Sequence, residues 1–226
     1  AIDAVGGGRV RLLHEPRPGK WRCLNAAMGA SASTAENTGG NHHDVGELIA
    51  VLDDDMTPMP GWAEAVLESA RANPGHDLFA GKSFVQWPPG CAVPRWAEHY
   101  LALNVCFSIL TWEGEGDREM GGIFPHPSGN HFWFRRSVLE SVPRFAKGWT
   151  TEIQFCMAAR ARGHRGLLRP TIQCGHRVQP RLIDEDAFLH RALTVGHTMG
   201  RIHRAEQRLG STRPKPGRGA QALASR

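Results

Sequence analysis

Leu48–Asp55 reads LIAVLDDD, an apolar run ending in three consecutive carboxylates. Continuous apolarity, rather than alternation, is the pattern of a strand covered on both faces, as in a parallel sheet. It predicts a strand at Leu48–Leu52 that delivers Asp53, Asp54 and Asp55 at its carboxyl end. Pro58, Pro60 and Gly61 then turn the chain into a helix over Trp62–Ala72, which Asn73-Pro74-Gly75 stops. Asp77–Gly81 reads as the next strand. Strand and helix in alternation argue for an α/β sheet.

Towards the amino end, Arg9–Leu13 reads as a short strand. Lys20–Gly29 reads as a helix with Trp21, Leu24 and Met28 on one face, and the Ser-, Asn- and Gly-rich Ser31–Gly46 as a flexible loop. Towards the carboxyl end, Trp96, Tyr100, Leu103, Phe107 and Leu110 recur at helical spacing within Pro94–Leu110. Glu113–Gly122 is expected to be a mobile loop, and Arg136–Val142 and Thr151–Arg162 helices, the second ending at Gly163. Leu167–Gln173 reads as a strand that Pro170 places at an edge or bend. Asp184–Leu209 is a long amphipathic helix with Phe188, Ala192, Val195, Met199 and Ile202 on one face. The expectation is one domain over residues 1–209 and a disordered tail over 210–226.

Composition fits that outline. With 226 residues, 41% hydrophobic and 22% charged, the chain can bury one sizeable core. A formal net charge of +5 suits acidic partners: nucleic acid, sugar nucleotides or an anionic membrane face. The five cysteines are widely spaced and form no CxxC pair, which argues against a disulfide framework or a zinc knuckle and fits a reducing cytosol. No apolar run approaches the length of a membrane span.

The acidic triplet carries the chemistry. Two unit charges about 6 Å apart repel by roughly 3 kcal/mol at an effective dielectric near 20, and a divalent cation reverses that sign. In an extended chain Asp53 and Asp55 point to one side and Asp54 to the other. Asp53 and Asp55 are therefore the natural pair for a hard cation carrying a diphosphate. A solvated acidic turn or a helix-capping cluster is the structural alternative.

Five segments in order resemble family 2 of the inverting glycosyltransferases. They are GKWRCLNAA (Gly19–Ala27), GELIAVLDDDMTPMPGWAEAVL (Gly46–Leu67), PSGNHFWFRRSVLESV (Pro127–Val142), TEIQFCMAARARG (Thr151–Gly163) and CGHRVQPRLIDEDAFLHRALTVG (Cys174–Gly196). They are similar to that family's G-K-x-x-A-x-N helix, D-x-D strand end, G-N-x-x-x-R-R segment, E-D helix and H-x-x-x-P-x-R segment. The likeness is closest to bacterial exopolysaccharide enzymes of the succinoglycan kind. It implies a GT-A fold: a mixed, mostly parallel sheet flanked by helices, with a C-terminal amphipathic helix. It also implies a sugar-nucleotide donor, a saccharide or lipid-linked acceptor, and Mn2+ or Mg2+. Nucleic acid is not among the partners so implied. The place would be the cytoplasm, with the basic face of the last helix (His190, Arg191, His197, Arg201, Arg204, Arg208) offering peripheral contact with an anionic membrane on the inner side of the plasma membrane.

The resemblance assigns roles residue by residue. Glu152 is the candidate general base; Lys20, Asn25, Asp53 and Asp54 fall on the donor-phosphate side. Gly129, Asn130 and Trp149 fall on the acceptor side, and Asp53, Asp55 and His176 at the metal. Trp133 is a further candidate for stacking on a sugar ring, and His42 and His43 are expected to be solvated. Two departures stand out. The chain begins after the strand–helix–strand unit that holds the nucleoside in the family, so the domain is expected to be incomplete at its amino end. The family's Glu-Asp pair is replaced by Thr151-Glu152. A non-catalytic remnant and a metal-dependent phosphoesterase are the competing readings.

Overall fold

The computed structural model describes residues 12–37, 47–99, 107–110, 116–121, 129–147 and 151–208. Helix α1 spans Lys20–Asn37 and is followed by β1 (Leu48–Leu52), β2 (Met56–Pro58), α2 (Trp62–Ala72) and β3 (Leu78–Gln86). A 3-10 turn at Arg95–Glu98 precedes β4 (Arg118–Glu119), β5 (His131–Arg135), α3 (Val138–Ser141), α4 (Thr151–Arg160) and β6 (Gly166–Arg177). A second 3-10 turn at Pro180–Leu182 leads into α5 (Glu185–Arg208).

Among the described residues the strands form one sheet in the order β1-β5-β3-β6-β2, with β4 also on β6. Only β3 and β6 run parallel; the other described pairings are antiparallel. The fold is thus mixed α/β, and the expected mostly parallel sheet is corrected to a mostly antiparallel one. The LIAVL run misleads because apolarity does not fix strand direction. β1 has β5 as its one described neighbour, and only Val51 in it is fully buried.

Alternation along β5 organises the core. Phe132 and Phe134 face one side, packing with Leu78, Ala80, Phe145 and Phe155 and with Trp21, Leu24 and Met28 of α1. Trp133 faces the other side with Phe79, Val66 and Ala70, under α2. Helices therefore cover both faces. A third cluster joins Phe107, Ile109 and Val178 to Trp87, Trp96, Phe188 and Ala192, and so seats the start of α5.

Several local readings change. Leu12 and Leu13 are exposed and outside any strand, and the rest of Arg9–Leu13 lies outside the described residues. α1 continues through Ser31–Asn37, where the sequence suggests a loop, and residues 38–46 of that loop lie outside the described residues. Within Pro94–Leu110 the described parts are a 3-10 turn and an irregular stretch at Phe107–Leu110, not one helix, although Phe107 and Leu110 are core as their pattern suggests. Arg118–Glu119, in the presumed mobile loop, pairs with β6.

β6 is longer than expected and central. Gly81 pairs with Arg169 while Lys82 pairs with Gln173, so Pro170, Thr171 and Ile172 bulge out of the ladder. The bulge is where a proline, lacking an N–H, is tolerated inside a sheet. It also brings the Ile172 carbonyl over Gly81, where a Cβ would overlap that oxygen and the His131 ring.

Candidate functional site

The acidic triplet is a turn rather than an extended run. Met56 N–H donates to the Asp53 carbonyl at 3.1 Å, closing a β-turn. Asp53 N–H donates to the Asn130 carbonyl at 3.3 Å, and Arg177 N–H to the Asp55 carbonyl at 2.9 Å, so the turn hangs between β5 and β6. The Arg177 guanidinium also donates to the Asp54 carbonyl at 2.6 Å. Within this turn Asp53 and Asp55 have different partners, and the Asp54 side chain is exposed.

Asp53 meets Lys20. The Lys20 ammonium lies 2.5 Å from Asp53 Oδ1 and 2.6 Å from Glu152 Oε1, and it donates to the Gly129 carbonyl at 2.6 Å. Lys20 opens α1, where the helix dipole disfavours a cation; two carboxylates offset that cost. Glu152 sits in the first turn of α4, where the dipole favours it, and is only 5% exposed. Gly129 is a glycine for lack of room: a Cβ there would overlap the Glu152 carboxylate.

Electrostatics follow from this crowding. Burial works against the charge on Lys20, but Glu152 and Asp53 outweigh it and hold the ammonium above the ordinary lysine range. Burial pushes the Asp53 carboxyl up; Lys20 pulls it back, and the Glu152 and Asp55 carboxylates leave the net shift upward.

Asp55 meets His176. The β2–β6 register sets Met56 opposite His176, which brings Asp55 Oδ2 to 3.2 Å from His176 Nε2. His176 Nδ1 lies 2.5 Å from the Phe107 carbonyl, which can only accept, so that nitrogen carries the proton. Nε2 is thus aimed at Asp55 by a backbone anchor, the arrangement typical of a metal-ligating histidine. Asp55 Oδ1 is buried with no hydrogen-bond partner.

The carboxylate oxygen suits Mn2+ or Mg2+, and the imidazole nitrogen favours Mn2+ of the two, since Mg2+ prefers oxygen donors alone. Asp55 and His176 supply these donors, and the partnerless oxygen is what such an ion would occupy. Asp53 pairs with Lys20. Among the described residues no three His, Cys, Asp or Glu side chains converge on one metal position. Of the expected trio, Asp55 and His176 face each other while Asp53 is paired with Lys20.

Asn25 is bonded to backbone. Its Nδ2 donates to the Phe145 carbonyl at 3.0 Å and its Oδ1 accepts the Phe145 N–H at 2.8 Å. Both ends of the amide bond backbone, so Asn25 pins α1 to the segment before α4. Asn130 is 4% exposed, and its Nδ2 donates to the Ser108 carbonyl at 3.2 Å. Ser108 takes a left-handed φ of 53°, uncommon for serine, beside the carbonyl that anchors His176. Trp133 is fully buried and stacks on Phe79 at 5.9 Å, in the core rather than facing a sugar. Trp149, His42 and His43 lie outside the described residues.

Sequence reasoning misses the part played by Arg177 and Phe107, neither of which offers a motif. It also misses a second polar line. Ser141 Oγ lies 2.8 Å from His164 Nε2, and His164 Nδ1 lies 2.9 Å from Asp77 Oδ2. The order is that of a hydrolytic triad, but the surroundings are not. Ser141 is in the last turn of α3, the negative end, and the nearby Leu139, Glu140 and Val142 N–H groups are all bonded to carbonyls. Those three N–H groups are therefore not available to an oxyanion. The line ties α3 to the starts of β3 and β6.

Away from both clusters, a depression along α5 is lined by Leu193, Gly196, His197, Gly200 and Arg204, and none of them reaches the acidic turn. No described helix is long and apolar enough to cross a membrane. Among known proteins, no family model matches the chain and no curated protein matches it.

Proposed function

We propose that the chain transfers a sugar, with inversion, from a nucleoside-diphosphate donor to a saccharide or lipid-linked saccharide, on a GT-A-type scaffold, in cell-surface polysaccharide synthesis at or near the inner face of the plasma membrane. One observation carries the reading. Lys20, Asp53, Gly129 and Glu152, drawn from four separated segments that resemble one family, gather within hydrogen-bonding reach of a single ammonium.

Each residue then has a task. Glu152 removes the acceptor hydroxyl proton as the new oxygen–anomeric carbon bond forms and the bond from that carbon to the diphosphate oxygen breaks. The electron pair leaves with the nucleoside diphosphate. Mn2+ or Mg2+ on Asp55 and His176 would neutralise that leaving group as a Lewis acid. Lys20 is within reach to hydrogen-bond phosphate oxygens. Gly129 and Asn130 border the base on the side where the acceptor would lie.

Isothermal titration of UDP, GDP and dTDP, with and without manganese, tests this. One nucleotide should bind only with manganese, and Asp55→Ala should weaken binding at least about tenfold, the loss of one charged ligand. Binding of none of the three would remove the donor site from this chain.

A further inference from the structure

The ammonium of Lys20 has three oxygen neighbours: Asp53 Oδ1 at 2.5 Å, Glu152 Oε1 at 2.6 Å and the Gly129 carbonyl at 2.6 Å. Two carboxylates and a carbonyl converging on one cation is what a hard metal ion would ask of the same groups. Placing the charge there runs against the dipole of α1, and the side chain, 37% exposed, reaches inward from the surface to both carboxylates. Close by, Asp55 Oδ1 is left buried without a partner.

We infer that Lys20 is a built-in counter-ion: it fills the cation position beside Asp53 while the donor site is empty, keeps bare divalent metal out, and gives way only to metal that arrives with a diphosphate. The physics is direct. A divalent ion alone meets a fixed positive charge and finds Asp53 occupied, leaving only Asp55 and His176 as ligands. A diphosphate changes both terms, since its oxygens offer the ammonium new charge-assisted acceptors and so free Asp53 for the metal. Glu152 is held by the same ammonium, so the base is released only when the donor is in place. The identity of the displacing group rests on the donor-site reading above; the exclusion of bare metal does not.

The test uses manganese alone. Thermal melts of the wild type, Lys20→Met, Lys20→Gln and the double variant Lys20→Met/Asp53→Asn are compared with and without 1 mM MnCl2, an amount of about that order being ample for an open site. The wild type should shift by less than about 1 °C. Either Lys20 variant should gain at least about 3 °C, and Asp53→Asn should abolish the gain. Two Lys20 variants are used so that one misfolding does not decide the matter. The inference is overturned if neither folded Lys20 variant responds, if the wild type already responds fully, or if the gain survives Asp53→Asn. Nucleotide titration of the wild type is read separately: its failure removes the donor reading and leaves the metal result standing.

Discussion

Glu152 is buried, faces Lys20 and lies against the one glycine that leaves it room, so its neighbours define its job. Glu152→Gln keeps the shape and removes the basicity. Transfer should fall by at least about a hundredfold, the usual contribution of a positioned base, while manganese-dependent nucleotide binding changes little. Gly129→Ala should give a similar loss by pushing the carboxylate aside. Turnover with the preferred donor, measured beside titration calorimetry, checks both, and near-normal turnover in Glu152→Gln removes it from the mechanism. At this scale the sequence is informative about residue type and poor about partnership. Asp53, Asp55, Glu152 and His176 stand out as carboxylates and a histidine near element ends. That Lys20 bridges Asp53 and Glu152 is not legible, because the contact closes loops of more than thirty and more than a hundred residues and depends on the turn at Asp53–Met56.

Elements whose pattern is local are the ones the sequence discloses. α2 is bounded by Gly61 and Asn73 and matches its amphipathic pattern; α4 stops before Gly163, whose φ of 94° suits only glycine comfortably. β2 and β5 are not legible as strands. β2 is three residues ending in a proline, and β5, HFWFR, is apolar on both faces because helices cover both sides of it. β6 is cut short in a sequence reading because Pro170 looks like a terminator, whereas the bulge lets the strand resume. Asn25 shows how a motif residue can belong to the scaffold. Asn25→Ala strips two hydrogen bonds from the Phe145 backbone. It should cost about 1–3 kcal/mol and lower the melting temperature by several degrees, with nucleotide affinity unchanged in the folded protein. Scanning calorimetry and nucleotide titration on the same sample separate the two outcomes.

The whole molecule carries a buried histidine between its sheet and α2. His131 is fully buried, and its Nε2 accepts the Trp62 indole N–H at 2.9 Å. Burial lowers its pKa from 6.5 to about 4. Unfolded chains therefore bind a proton between those values that the folded protein refuses, and stability must fall as pH drops through that window. The loss, complete below about pH 4, amounts to about 3 kcal/mol. Urea melts at pH 7.5, 6, 5 and 4 should show it, and the loss between pH 7.5 and 4 should be smaller in His131→Gln by that amount; equal losses would mean His131 titrates normally. A different consequence follows from α5. It is 24 residues long, and among the described residues its side chains seated in the core clusters are Phe188 and Ala192, near its start. There Arg191 also bonds to Ser108, whose neighbour Phe107 holds His176. The helix is about 36 Å long and is held near its start beside the anchor of the candidate metal ligand, so a tilt of one degree there sweeps the other end through ~0.6 Å. A small rearrangement at Phe107–Ser108 is thereby converted by length alone into a larger displacement along α5.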